Sequence, residues 1–421
     1  MHTVRSSSST MCAGLFLVAL AGGCALGPRS VEQNRLRYNE AVKTTTEQQL
    51  LLNIVRLRYT DTPSSLSITT IADQQEIVAG LKAIPFFTAD AGGNSFGGFR
   101  GSVLPQAELS GANRPTLSYT PLDDTEFTRR LFTPLTLEGT AYLGKTTWPI
   151  STVFRLYLEN LNWVSNAETA SGPTPRQMPE YTEFLEGILA LQRLQDRKLI
   201  ALFNEDRDER MTDGVPTGVN TPTAAVEAAK AGMEYRKGED GGWAVLKKQS
   251  QSVLRVGEVP SDDPDFACFC NAFKLDRTKR TFTLTTDKLD PFLVGTPKTG
   301  LTQLDLETRS LLQVLFFMSH GVQVPPDHAV SGVAPQTIDE NGASFDWAKV
   351  HAGLFKVCWA RGRTPPACAS VSVRYRDVWF YIDDRDRDTK ATFALLVELS
   401  RLELGAKVGT APLLTLPLGG R

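Results

Sequence analysis

Six cysteines, four histidines and one run of alternating aspartates are the residues here whose type and spacing could do chemistry. The sharpest of them is Cys24. It follows Leu20-Ala21-Gly22-Gly23, at the end of an apolar run from Met11 to Leu20. Small residues before the thiol suit cleavage, and the thiol itself can take up a diacylglyceryl group. The apolar run is a secretory leader, because a membrane-spanning helix needs about 20 residues. Residues 1–23 are therefore expected to leave as a signal peptide. Cys24 then becomes a palmitate-bearing N-terminus, and residues 24–33 form a tether. Two or three chains, at roughly 0.8 kcal/mol per buried CH₂, would hold the protein stably on a bilayer.

Cys12 lies in the leader, so Cys268, Cys270, Cys358 and Cys368 remain as an even set. In an oxidising compartment such a set predicts disulfides. Cys358 and Cys368 flank an expected hairpin loop, Trp359 to Ala367, and could bridge its strands. Pairing with Cys268 and Cys270 is equally admissible. A four-thiolate zinc site is the alternative, but C-x-C and C-x₉-C fit no zinc motif well.

Asp384, Asp386 and Asp388 imitate the first ligands of a calcium loop. Thr389 stands where that loop needs glycine and Leu395 where it needs glutamate. A helix-start loop is the better reading, with the carboxylates at the positive end of the helix dipole. His320, before Gly321, is expected to satisfy carbonyls at a helix end. His328 and His351 fall in no metal-binding pair. No nucleophile elbow, Walker loop or dinucleotide fingerprint is present, so no catalytic residue, metal or cofactor is assigned. With 45 basic and 47 acidic residues there is no general electrostatic footprint for nucleic acid.

The elements that must position these residues mix helices with mainly antiparallel strands, without a regular βαβ period. That predicts an α+β fold in two or three units behind the anchor. The expected units are residues 34–166, 167–301 and 302–421. Thr44 to Glu47 reads as a capping box before a helix ending near Tyr59. A strand is expected from Ser64, and a helix from Pro149 to Leu161. Asn204 to Asp213 reads as a charged loop. Thr302 with Asp305 reads as a cap before a buried helix, Leu311 to Met318.

Ala89 to Asn113 is rich in glycine and reads as a loop or irregular hairpin. Phe96 and Phe99 within it are candidate partner-binding anchors. A membrane-facing hairpin, joined to other copies as a barrel, is the sharper alternative. Pro85 and Pro105 and the poor alternation of Glu76 to Thr88 and Ser102 to Ser110 oppose it.

Several stretches resemble an uncharacterised family of bacterial lipoproteins. They are Arg37 to Glu40, Glu47 to Tyr59, Ser118 to Leu122, Arg309 to Gly321, and Val378 to Asp384 with the following helix. The resemblance implies location and no assigned activity. The expectation is thus a lipid-anchored, periplasm-facing outer-membrane protein of the cell envelope. It would act as a structural or protein-interaction module, with bilayer lipid and an envelope protein as partners. An export-complex subunit and a lipid-anchored hydrolase are the alternatives.

Overall fold

The computed structural model describes residues 35–404, apart from 65, 73–74, 89–99, 114–115, 122–124, 146–147, 216–221, 238–242, 287–291 and 293–298. Cys24, Phe96, Phe99, the leader and the tether lie outside the described residues. The chain is an α+β protein whose sheets are mostly antiparallel. It forms two compact units, one of residues 1–63 with 125–421 and the other of residues 64–124.

The larger unit opens with helix α1 over residues 35–58. It starts before the expected capping box. The threonines there bond backward instead: Thr45 Oγ1 donates to Ala41 O and Thr46 Oγ1 to Val42 O, as mid-helix threonines do. The expected stop holds, since residues 59–60 form a turn with Thr60 at φ 62°. Strands β1 (Leu66–Ala72), β2 (Gln75–Thr88), β3 (Arg100–Asn113) and β4 (Thr116–Pro121) make up the smaller unit.

The larger unit resumes with α2 (Thr125–Phe132), α3 (Leu137–Lys145), α4 (Ile150–Tyr157), β5 (Leu158–Leu161) and β6 (Val164–Ser165). The helix expected to reach Leu161 thus ends at Tyr157, and its last apolar residues become strand. Next come α5 (Thr182–Asp196), β7 (Ile200–Val215), α6 (Pro222–Lys230), β8 (Met233–Lys237), β9 (Trp243–Val256), α7 (Pro264–Ala272), β10 (Thr281–Thr285) and β11 (Gln303–Thr308). The charged stretch read as a loop is part of β7, in register from Asn204↔Ser252 to Arg210↔Leu246. Its charges are partly matched within the sheet, as where Asp208 pairs with Arg236 of β8 at 2.8 Å.

Last come α8 (Leu311–Ser319), α9 (Pro326–Val330), α10 (Ala348–His351), β12 (Cys358–Ala360), β13 (Ala369–Tyr375), β14 (Val378–Asp383) and α11 (Arg387–Leu404). Helix α8 is capped by Ser310, whose hydroxyl accepts from Gln313 N while the Gln313 side chain accepts from Ser310 N. Thr302 and Asp305 are not a cap, because Asp305 lies in β11.

Seven strands form one sheet in the order β6-β5-β11-β10-β9-β7, with β8 also on β9. Its strands come from all three expected units, so the boundaries at residues 166 and 301 are corrected. Fully buried Phe184, Phe266, Phe269, Phe273 and Phe282 fill the core beside this sheet. Helix α5 meets α7 at Gly187, where a Cβ would lie 2.6 Å from Ala272 Cβ.

A second sheet has the order β12-β14-β13. The expected hairpin from Cys358 to Cys368 is corrected, since β14 lies between β12, which begins at Cys358, and β13, which begins just after Cys368. Cys268 and Cys270 sit two apart on α7, and all four of these cysteines are free thiols. Burial pushes the Cys270 thiol up to about 12.

Candidate functional site

The larger unit contains a cavity of about 560 Å³. The end of α1 supplies Arg58, and the chain after α8 supplies His320, Val322 and Val324. Helix α9 supplies Ala329, residues 345–359 supply Phe345, Trp347, His351, Phe355 and Trp359, and the start of α11 supplies Asp386, Asp388 and Thr389.

His320 caps the C-terminus of α8 and is only 3 % exposed. Its ring stacks on Trp347, with centroids 4.3 Å apart and planes at 17°. Trp347 is itself oriented by its Nε1, which donates to Thr337 Oγ1 at 3.3 Å. His351 ends α10, also 3 % exposed, with its ring 4.7 Å from that of Phe317. None of the four ring nitrogens has a hydrogen-bond partner. Carbonyls of Gly172 and Ala170 approach His320, and that of Phe317 approaches His351, without reaching hydrogen-bond geometry. The expectation that His320 satisfies carbonyls at the helix end is therefore corrected.

Burial drives the His320 pKa down to about 3, and the Arg58 and Arg309 charges push the same way. His351 falls well below its usual range from burial first, then from His320, Arg155 and Arg309. Both imidazoles are neutral at neutral pH.

Three guanidiniums surround this pair. Arg58 Nη1 donates to Pro335 O at 2.7 Å and Thr174 Oγ1 at 3.3 Å, while its Nε has no partner. Arg155 Nη2 donates to Val350 O at 2.7 Å and Ala352 O at 3.0 Å. Arg309 is fully buried. Its Nε donates to Ser171 Oγ, Nη1 to Arg155 O and Nη2 to Asn166 O, and it lies 4.0 Å from the Phe317 ring centroid. Burial lowers Arg58 and Arg155 to about 10 and Arg309 to about 9. Their bonded acceptors are carbonyls and hydroxyls. The positive charge around the two histidines is thus held by dipoles and not by bonded carboxylates.

This arrangement can bind and orient. The histidines bond no hydroxyl, thiol or carboxylate, so the nucleophile–base–orienter geometry of a triad is not assembled there. Among the described residues no group of three or more His, Cys, Asp or Glu could hold a metal ion. The Asp384–Asp388 run serves the start of α11: Asp386 Oδ1 accepts from Thr389 N, and Asp384 Oδ1 pairs with Lys390 at 2.6 Å. Arg58 and Trp347 were not singled out by the sequence reading. Arg58 carries no distinguishing local signal, because it belongs to the helical run Arg56 to Tyr59.

The smaller unit offers a second feature. Strands β2 and β3 pair without interruption from Gln75↔Asn113 to Thr88↔Arg100, and β1 and β4 pair from Leu66↔Pro121 to Ala72↔Thr116. Residues 100–113, expected to belong to a glycine-rich loop, are strand, and both prolines are accommodated within the ladder. Directly opposed residues of an antiparallel pair share a face. The register therefore places Ile77, Ala79, Leu81, Ala83, Pro85 and Phe87 with Val103, Pro105, Ala107 and Leu109. The other face carries all four charged residues of the two strands, Glu76, Lys82, Arg100 and Glu108. The register shift between Ile68 and Thr70 keeps Leu66, Ile68 and Ile71 opposite Pro121, Tyr119 and Leu117.

No family model, curated protein or solved structure matches this chain.

Proposed function

We propose that the chain is a lipid-anchored envelope protein, held by acylated Cys24, that assembles with further copies of itself through residues 66–121. The observation that carries this reading is the register of β2 on β3, which leaves one face without a charged residue and puts all four charges on the other, beside Val78, Ile84, Phe86 and Leu104. Isolated two-stranded ribbons are marginal in water. Each outer edge also offers unpaired backbone donors and acceptors. Copies joined edge to edge would satisfy those groups and present one continuous apolar face. Fourteen residues per strand exceed the roughly 9–11 that a tilted membrane-crossing strand needs. An apolar outside with charges and amides inside is the pattern of a lipid-embedded barrel. This joins the interaction-module expectation to the export-subunit alternative. Phe96 and Phe99 lie between β2 and β3 in sequence, where they would serve such an assembly as aromatic anchors.

The test compares the lipidated full chain in detergent with a variant in which residues 66–121 are replaced by a short glycine-serine linker. Leu66 and Pro121 are direct cross-strand partners, so a short linker spans the ends. Sedimentation should show an oligomer for the full chain and a monomer for the variant, with the melting temperature of the larger unit kept. Leu81→Glu should disperse the oligomer, whereas Lys82→Glu, on the other face, should do so far less. A monomeric full chain, or an oligomer that survives the excision, rejects the reading.

A further inference from the structure

We infer that the cavity beside His320 and His351 is a binding site for a small organic monocarboxylate with a flat apolar body. The cavity's size, about 560 Å³, lies within the usual range for small-molecule sites. Its walls supply an apolar seat from Val322, Val324, Phe345, Phe355 and Trp359. Of its polar groups, Arg58, His320 and His351 are the buried ones, and they are incomplete. Arg58 Nε and the ring nitrogens of both histidines are buried without partners. Buried polar groups left unsatisfied each cost about 1–3 kcal/mol, so a site that keeps several of them calls for a partner.

The sign of that partner follows from the charges. Arg58, Arg155 and Arg309 are each at most 4 % exposed, and among the described residues none bonds a carboxylate, Glu159 acting on Arg309 only through its charge. With Nη1 held by Pro335 O and Thr174 Oγ1, the Nε edge of Arg58 is the free donor edge. A carboxylate matches a guanidinium edge and accepts from neutral imidazole N–H, which no described carboxylate does here. The rim explains why one negative charge fits better than two. Asp346, Asp386 and Asp388 line the cavity with Lys356 as the only lysine there, so a phosphate dianion would meet repulsion on entry. This site is independent of the assembly proposed for residues 66–121.

Titration calorimetry on the full lipidated chain in detergent tests the site with naphthalene-2-carboxylate against naphthalene-2-carboxamide, which has nearly the same shape and no charge. The carboxylate should saturate one site and bind at least about tenfold tighter than the amide, the factor that a charge-assisted hydrogen bond supplies. Arg58→Gln should abolish that preference. Because Arg58 is buried and also bonds Pro335 O, its replacement perturbs the fold itself, so Ala329→Trp provides a second arm: it fills the cavity from α9 and leaves Arg58 in place. Loss of carboxylate binding in Ala329→Trp, with an unchanged melting temperature, supports the site. Inorganic phosphate binding as tightly as the carboxylate, equal affinity for acid and amide, binding undiminished in Ala329→Trp, or no saturable binding overturns it.

Discussion

Mild acid should destabilise the larger unit through its two buried histidines, well before its carboxylates titrate. The perturbation is a fall from pH 7.5 to pH 5. Burial, Arg58 and Arg309 hold the folded His320 near 3, against an ordinary value of 6.5. The unfolded chain therefore takes up the proton first, so stability is full above pH 6.5 and declines as pH falls through the interval toward 3. At pH 5 the difference amounts to about 2 kcal/mol through His320 alone, from 1.36 kcal/mol per pH unit. His351 is lowered in the same direction by burial and by His320, Arg155 and Arg309, so it adds to the loss. The strongly bonded carboxylates act elsewhere on the pH scale: Asp263, held at about 2 chiefly by its hydrogen bond from Arg197, loses its contribution only under stronger acid. The assay is denaturant unfolding of the wild type and of His320→Phe with His351→Phe, at pH 7.5, 6.5, 5.5 and 5. Phenylalanine keeps a ring between Trp347 and Phe317 and has no nitrogen to leave unsatisfied, so the double variant should be no worse than neutral at pH 7.5. Its stability should fall by at least about 2 kcal/mol less than that of the wild type on reaching pH 5. A wild-type curve as flat as that of the variant, or an equally steep fall in both, would refute the reasoning.

Other substitutions probe the anchor and the frame around the cavity. Cys24→Ser should abolish acylation and release the chain from the membrane fraction; a variant that is still processed and retained like the wild type refutes the anchor. Arg309→Met removes the guanidinium donor from Asn166 O and Ser171 Oγ and one of two side-chain donors from Arg155 O, so it should lower stability by about 2–4 kcal/mol in denaturant unfolding. Arg309→Lys should recover little of this, because an ammonium cannot reproduce the planar fork of donors, and full recovery would show that charge alone matters there. Gly187→Ala puts a methyl group 2.6 Å from both Ala272 Cβ and Phe273 Cε2, and should destabilise by about 1–3 kcal/mol. No change in its unfolding midpoint would mean that α5 and α7 separate freely.

What was legible in the sequence, and what was not, divides by range. Local signals read well. The helix stop after Tyr59 and the buried helix expected at Leu311 to Met318 are set by neighbours within a few residues. Local signals misled where a distant partner decided the outcome. Thr44 to Glu47 has the chemistry of a cap, yet the helix runs through it. Thr302 and Asp305 look like a cap, yet β5 and β10 claim that segment as a strand. The cavity was legible only as scattered residues. His320, His351 and Arg58 are separated by up to 293 positions in the chain, and only the packing of α1, α8 and α10 brings them to one place.

The ribbon of residues 66–121 shows the same limit in its sharpest form. Read along β2 alone, Glu76 to Thr88 alternates poorly, because Val78, Ile84 and Phe86 interrupt the polar face. Read along β3 alone, Leu104 does the same. The pattern becomes clear only when Leu81 is set opposite Ala107 and Lys82 opposite Gln106. A one-residue slip would exchange the faces of one strand and bring Glu108 to the apolar side. The even register thus carries information that neither strand holds by itself. Pro85 and Pro105 fall on the same face, and so in the same class of cross-strand pair. A proline is tolerated where its missing N–H faces away from the partner strand. At both positions the lost donor then belongs to an outer edge, where a neighbouring copy would have to pair around it. A partner strand should accordingly join the ribbon with a gap in its hydrogen bonding at these two sites. Pro85→Ala and Pro105→Ala would each restore a donor and should strengthen the assembly in detergent; weaker assembly in both variants would place the prolines inside the ribbon's own ladder instead.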